Sequence, residues 1–214
     1  MFLDESEAQA IEVRVKALEA EFGVEVVTLV VGKADVYPET VWKAFALGAA
    51  LTGLVVTIGD LLRPDWITGT AVLWSAAAIL GVGALAGLTS VYVPAFARLF
   101  LRDSRATLEV SQYAKVQFLE RELFATSSRT AVLLVVSLLE RRVVILADKG
   151  LRNLVPAAEW DLAIAQMTQP LRAGQVGAAM LAGLDGIRSA FVGKGIARAA
   201  ANVFGDTPIE DASP

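Results

Sequence analysis

The apolar positions along the chain follow three different rhythms. In the first, Ala8, Ile11, Val15, Leu18 and Phe22 recur at spacings of three and four, which predicts an amphipathic helix. Ser6 stands where an N-cap would, and Gly23 closes the helix because glycine enters the left-handed conformation freely. In the second, Val24–Val31 (VEVVTLVV), Ala131–Leu139 (AVLLVVSLL) and Val143–Ala147 are short β-branched runs. They predict strands, the first of them central because it is almost wholly apolar. The last two runs, separated by Glu140-Arg141-Arg142, predict an antiparallel hairpin. In the third, apolar residues continue without relief from Ala44 to Leu62, with Asp60 as the one charge, and from Trp66 to Ala97 with none.

A bilayer core about 30 Å thick takes roughly 20 apolar residues as helix, so both long stretches qualify as spans. The turn between them, DLLRPDW, contains Pro64, and the pair reads as a transmembrane hairpin over 44–97. Trp42, Trp66 and Tyr92 stand near the expected interfaces. Gly83-Ala-Leu-Ala-Gly87, with Gly48 and Thr52, supplies small residues for close helix approach, within one chain or in a homo-oligomer through the hairpin. Lys33 and Lys43 precede the hairpin, Arg98, Arg102, Arg105 and Lys115 follow it, and the turn has only Arg63. That asymmetry places both flanks, and both termini, on the cytoplasmic side of the bacterial inner membrane. Met1–Glu12, with four acids and no apolar core, does not read as a signal peptide.

Around the hairpin, residues 1–43 and 98–204 read as one split α/β domain, since a lone strand in the first piece needs the strands of the second. Helices are expected at about Ala106–Phe124, with Leu108, Val110, Ala114 and Phe118 turned inward, at Pro156–Arg172, and at Gly174–Val203. The tail 205–214 reads as disordered.

Composition narrows the chemistry. Of 214 residues, 55% are hydrophobic, and there is no His and no Cys. The chain therefore cannot build a Ser-His-Asp triad, a thiolate zinc site or a disulfide. Its formal charge of −4 gives no footprint for nucleic acid. Carboxylate, Lys, Tyr, Ser and Thr chemistry remains, or an oxygen-ligated cation.

The block Ala114-x3-Phe118-x4-Leu123-x2-Thr126-x2-Arg129-Thr-Ala-Val-Leu-Leu, followed by Ser137-Leu-Leu-Glu140-Arg-Arg-Val-Val-Ile-Leu-Ala-Asp148-Lys-Gly150, resembles the TPM domain family. Gly23-Val-Glu25, Tyr37, Trp160 and Leu171-Arg-x-Gly174 extend the likeness, in particular to the family's bacterial membrane-protein branch, where a hairpin interrupts the domain. Ala131 stands where glycine is common, Ala125 where histidine is frequent, and a closing proline is missing. The resemblance implies a small α/β/α sandwich, and roles that range from acid phosphatase activity and photosystem repair to receptor accessory functions and calcium binding.

Asp148, at a strand end beside Gly150, is a candidate metal or ligand contact, or else an Asx-turn or N-cap. Glu25 either seeks a partner such as Thr126 or Arg129 or marks an exposed strand end. Glu140 pairs with its arginine neighbours or joins Asp148 and Glu25 around a hard cation such as calcium. Two functions stay open. One is a membrane-anchored binding or accessory module that meets the lipid bilayer and a protein partner. The other is a metal-dependent phosphatase-like hydrolase near the membrane with Asp148 at its centre.

Overall fold

The computed structural model describes residues 2–62, 69–196 and 205–211. Two compact units emerge, one from residues 1–35 with 106–214 and the other from 36–105. The expected turn residues 63–66 and the stretch from 197 to 204 lie outside the described residues.

The first unit opens with helix α1 (Glu5–Phe22), buried along Ile11, Val15 and Leu18 as the spacing predicts. Its N-cap is Asp4 rather than Ser6. The Asp4 carboxylate accepts from the Glu7 backbone N–H at 2.7 Å, and Glu7 returns the bond to the Asp4 N–H at 3.0 Å. Two otherwise unpaired donors are thereby satisfied together, which a single serine hydroxyl cannot do. Gly23, at φ 66°, ends the helix.

Strand β1 (Glu25–Val31) runs parallel to β2 (Ala131–Ser137), and β3 (Arg142–Ala147) returns antiparallel to β2. The sheet order is β3-β2-β1-β4, so β1 is internal as expected. The fourth strand, β4 (Ile209–Asp211), lies in the tail expected to be disordered. It pairs parallel with Leu29–Val31. Ordering of so short a segment rests on its ladder, on Ile209 packed into the core, and on carboxylates that accept from Phe2, Leu3 and Tyr113.

Alternation along β1 and β2 sends side chains to both faces of the sheet. Val26, Val30, Val132, Leu134 and Val136 meet α1, α7 (Ala157–Arg172) and α8 (Val176–Phe191). Val27, Leu29, Val31, Leu133 and Val135 meet Ala114 and Tyr113 of α5 (Asp103–Glu120) and Leu123 of the 3-10 turn after it. The result is an α/β/α sandwich. Leu108, expected inward, is exposed, and Ala106, Val110 and Ala114 form the buried stripe of α5 instead. A helix turns 100° per residue, so Leu108 cannot share a face with Ala106 and Val110, which flank it at two positions either side. Helix α8 and the short α6 (Lys149–Arg152) complete the unit.

The second unit is a helical hairpin. Helix α2 (Pro38–Leu62) begins six residues before the apolar run, and α3 (Gly69–Tyr92) is followed by the short α4 (Pro94–Ala97) and a 3-10 turn at Arg98–Phe100. The small residues face the partner helix. A Cβ on Gly83 would stand 3.0 Å from the Phe45 ring, and one on Gly48 3.0 Å from the Ala86 Cβ. Outward, α2 presents Leu47, Leu51, Leu54, Val55 and Ile58, and α3 presents Leu73, Trp74, Leu80, Leu85 and Leu88.

Candidate functional site

The polar residues singled out above fall at opposite ends of the parallel pair β1–β2. At the end where both strands start, the loop Thr126–Thr130 leads into β2. Arg129 sits in it at φ 55°, a left-handed conformation that only local bonding sustains in a residue with a side chain. That bonding is dense. The Arg129 N–H donates to the Thr126 carbonyl at 3.0 Å, and the Thr130 N–H to Thr126 Oγ1 at 3.2 Å.

Turned this way, the Arg129 guanidinium reaches Asp148 with two bonds, Nε to Oδ2 at 2.7 Å and Nη2 to Oδ1 at 2.9 Å. Its carbon lies 5.8 Å from the centre of the Phe124 ring. Asp148 in turn caps α6, accepting from the Lys149 N–H at 2.7 Å. Its side chain is 4% exposed against 49% for Arg129. The carboxylate lifts the guanidinium pKa above its ordinary value, chiefly through the hydrogen bonds. Gly150 closes the knot. Its N–H donates to the Arg129 carbonyl at 2.9 Å, and a Cβ there would stand 2.6 Å from the Ser128 and Arg129 carbonyl oxygens. Only glycine leaves the loop room to dock on α6.

Thr126, Arg129 and Asp148 are therefore brought together, with Asp148 as the N-cap of α6. Glu25 joins through the backbone, its N–H donating to the Thr130 carbonyl at 3.2 Å, with its residue buried at the first register position opposite Ala131. It is not an exposed strand end. Glu140 is elsewhere. It follows Ser137 at the far end of β2, six register steps away, or about 20 Å at 3.3 Å per step. There it accepts from the Ala34 N–H at 2.8 Å and from the Ser137 hydroxyl, tying together the two loops that leave β1 and β2. Glu25, Glu140 and Asp148 thus do not form one ligand set. Among the described residues no three acidic side chains assemble in a metal-binding group.

Residues 91–190 match the family model described as the TPM domain. The match to the TPM domain thus takes in 100 of the chain's 214 residues. The matched segment runs from the last residues of α3 to the end of α8, so it contains the whole Thr126–Gly150 knot. The NMR structure of the BA42 protein from the psychrophilic bacterium Bizionia argentinensis is similar to this chain, with a TM-score of 0.58. The likeness covers 98% of this chain and 96% of that one at 12% identity, which supports the common fold alone. No curated protein matches the chain.

One carboxyl of the first unit escapes the sequence patterns. Glu19, on the last turn of α1, accepts from the Val26 N–H at 2.8 Å. Burial pushes its pKa up to about 8, against the pull of that N–H, and the neighbouring Glu25 and Asp206 push the same way. Near the tail, Tyr113 donates to Asp211 at 2.6 Å. Burial and then this bond hold the phenol above its usual range.

Proposed function

We propose that the chain is a membrane-anchored accessory module. Helices α2 and α3 cross the bacterial inner membrane, and the TPM domain stands on the cytoplasmic side to engage a protein partner. The observation that carries this reading is the exposure of the hairpin. The apolar windows of α2 and α3 are 6% and 11% buried, whereas a core helix of a soluble domain is mostly covered. At 1.5 Å per residue the helices are about 37 and 36 Å long, enough to cross a core of about 30 Å. Exposed leucines on such a scale cost roughly 25 cal/mol per Å² in water and nothing in lipid.

The state of Asp148 supports the accessory role over hydrolysis. Both carboxylate oxygens are engaged by Arg129 and one also by the Lys149 N–H. A nucleophile or metal ligand needs an oxygen it can offer to substrate or cation. The phosphatase reading would require the pair to open first. Phosphate release from a model phosphomonoester by the detergent-solubilised chain, with calcium, magnesium or manganese, tests it. Absence of turnover agrees with the accessory role. Turnover that disappears in Asp148→Asn overturns it.

A further inference from the structure

Between the end of α3 and the start of α5 the chain breaks step. Val93 is extended at φ −114° and ψ 95°, which ends α3, and Pro94 opens α4. From there to Arg102 the residues read Pro-Ala-Phe-Ala-Arg-Leu-Phe-Leu-Arg, apolar side chains interleaved with two cations. Leu99 is 75% exposed. Phe96 and Phe100 stack edge to face at 5.3 Å. The segment is tied to the first turns of α2, where Lys43 Nζ donates to the Phe100 carbonyl at 3.1 Å. Beside Lys43, Trp42 is 70% exposed and packs edge-on against Phe45 at 6.1 Å.

The charge at this end of the hairpin is lopsided. Lys43, Arg98, Arg102 and Arg105 stand against Glu39 and Asp103, and Glu39 is held by Arg105 at 2.8 Å. A soluble linker has no reason to expose leucine and tryptophan together. A segment in the headgroup layer does, because its apolar side chains dip toward the acyl boundary while its cations stay at phosphate level.

We propose that Pro94–Arg102, with Trp42 and Lys43, forms a collar in the headgroup layer of one leaflet that binds anionic phospholipid headgroups through Lys43, Arg98 and Arg102. The proposal rests on the hairpin spanning the bilayer and adds the lipid class that its cationic end selects. A cation at an anionic surface favours association by about five-fold. Replacing two of the three is expected to lower the preference for anionic over neutral lipid by about 25-fold at most, and less at high salt.

The test uses the full chain in vesicles, with W66F and W74F leaving Trp42 as the tryptophan on the hairpin. Its fluorescence is quenched by brominated phosphatidylcholine or brominated phosphatidylglycerol, each diluted in unlabelled phosphatidylcholine. Quenching by both, several-fold stronger by the phosphatidylglycerol, is the expected result. The excess should vanish in R98Q/R102Q while quenching by brominated phosphatidylcholine persists, which shows that the variant is still inserted. Equal quenching by the two lipids, or an excess untouched by R98Q/R102Q, overturns the collar and leaves the spanning hairpin intact. No quenching by either overturns the spanning hairpin and the collar with it.

Discussion

Replacing Arg129 by alanine and by glycine separates two contributions that the structure superimposes at one residue. The side chain supplies two charge-assisted hydrogen bonds to a buried carboxylate. Each such bond is worth about 1.5–3 kcal/mol where both groups are dry. Arg129 is half exposed, so water recovers part of the loss, and surface ion pairs are worth about 1 kcal/mol or less. Removing the guanidinium also leaves Asp148 buried with the Lys149 N–H as its remaining donor from this knot, a change that costs more than the pair itself contributes. A loss of about 2–3 kcal/mol is expected for Arg129→Ala. The backbone at φ 55° adds a second term, since a left-handed residue with a Cβ costs about 1 kcal/mol that glycine does not. Arg129→Gly is therefore expected to be less damaging than Arg129→Ala by about 1 kcal/mol, the reverse of the usual order. Asp148→Asn keeps an oxygen for the α6 cap and should cost only about 1 kcal/mol. Urea unfolding of the detergent-solubilised chain, followed by far-ultraviolet circular dichroism, ranks the three. Arg129→Ala within 0.5 kcal/mol of the parent, or Arg129→Gly worse than Arg129→Ala, would refute the knot as described.

Four further changes probe other parts of the molecule. Gly83→Leu should overpack the hairpin against Phe45 by about 1–3 kcal/mol and lower its melting temperature in detergent, whereas Gly81→Leu, whose Cβ meets nothing within 4 Å, should not. Thr28→Val should stabilise the domain by about 1 kcal/mol in urea, because Thr28 Oγ1 is buried with no hydrogen-bond partner among the described residues. Glu210→Ala removes the acceptor for the Phe2 and Leu3 N–H groups, so hydrogen exchange should quicken at residues 2–3 and across β4 while β2 stays protected. Glu19 binds its proton more tightly folded, near 8, than unfolded, near 4.5. The folded state thus carries more protons between those values, and stability falls as pH rises from 4.5 to 8. Glu19→Gln should flatten that slope in unfolding midpoints measured across the range.

Where one periodicity ruled a segment, the sequence was enough. The stripe of α1, the three long strands and both apolar helices follow from spacing, because each buries the face that its rhythm marks. The knot was half legible. Asp148 beside Gly150 reads as a cap, but its bond to Arg129 depends on a left-handed residue at 129 that no sequence pattern marks. Glu140 reads in the sequence as a companion of Asp148 because both are carboxylates that a hard cation could take. A hairpin strand lies between the two and puts them at opposite ends of the sheet. The strand at Ile209–Asp211 was illegible for another reason. Three residues carry no periodicity, and its ordering comes from partners around residues 2, 30 and 113. The Asp4–Glu7 box, by contrast, is present in the sequence as an acid followed three residues later by glutamate, with Ser6 between them.

The spanning hairpin with a cytoplasmic TPM domain is tested most directly by labelling from one side. The chain has no cysteine, so single replacements need no background removal. In intact cells whose outer membrane has been permeabilised, a membrane-impermeant maleimide should label Asp65→Cys in the hairpin turn. It should leave Lys115→Cys and Arg172→Cys unlabelled until the inner membrane is opened. Labelling of all three from outside, or of none before lysis, would contradict the account.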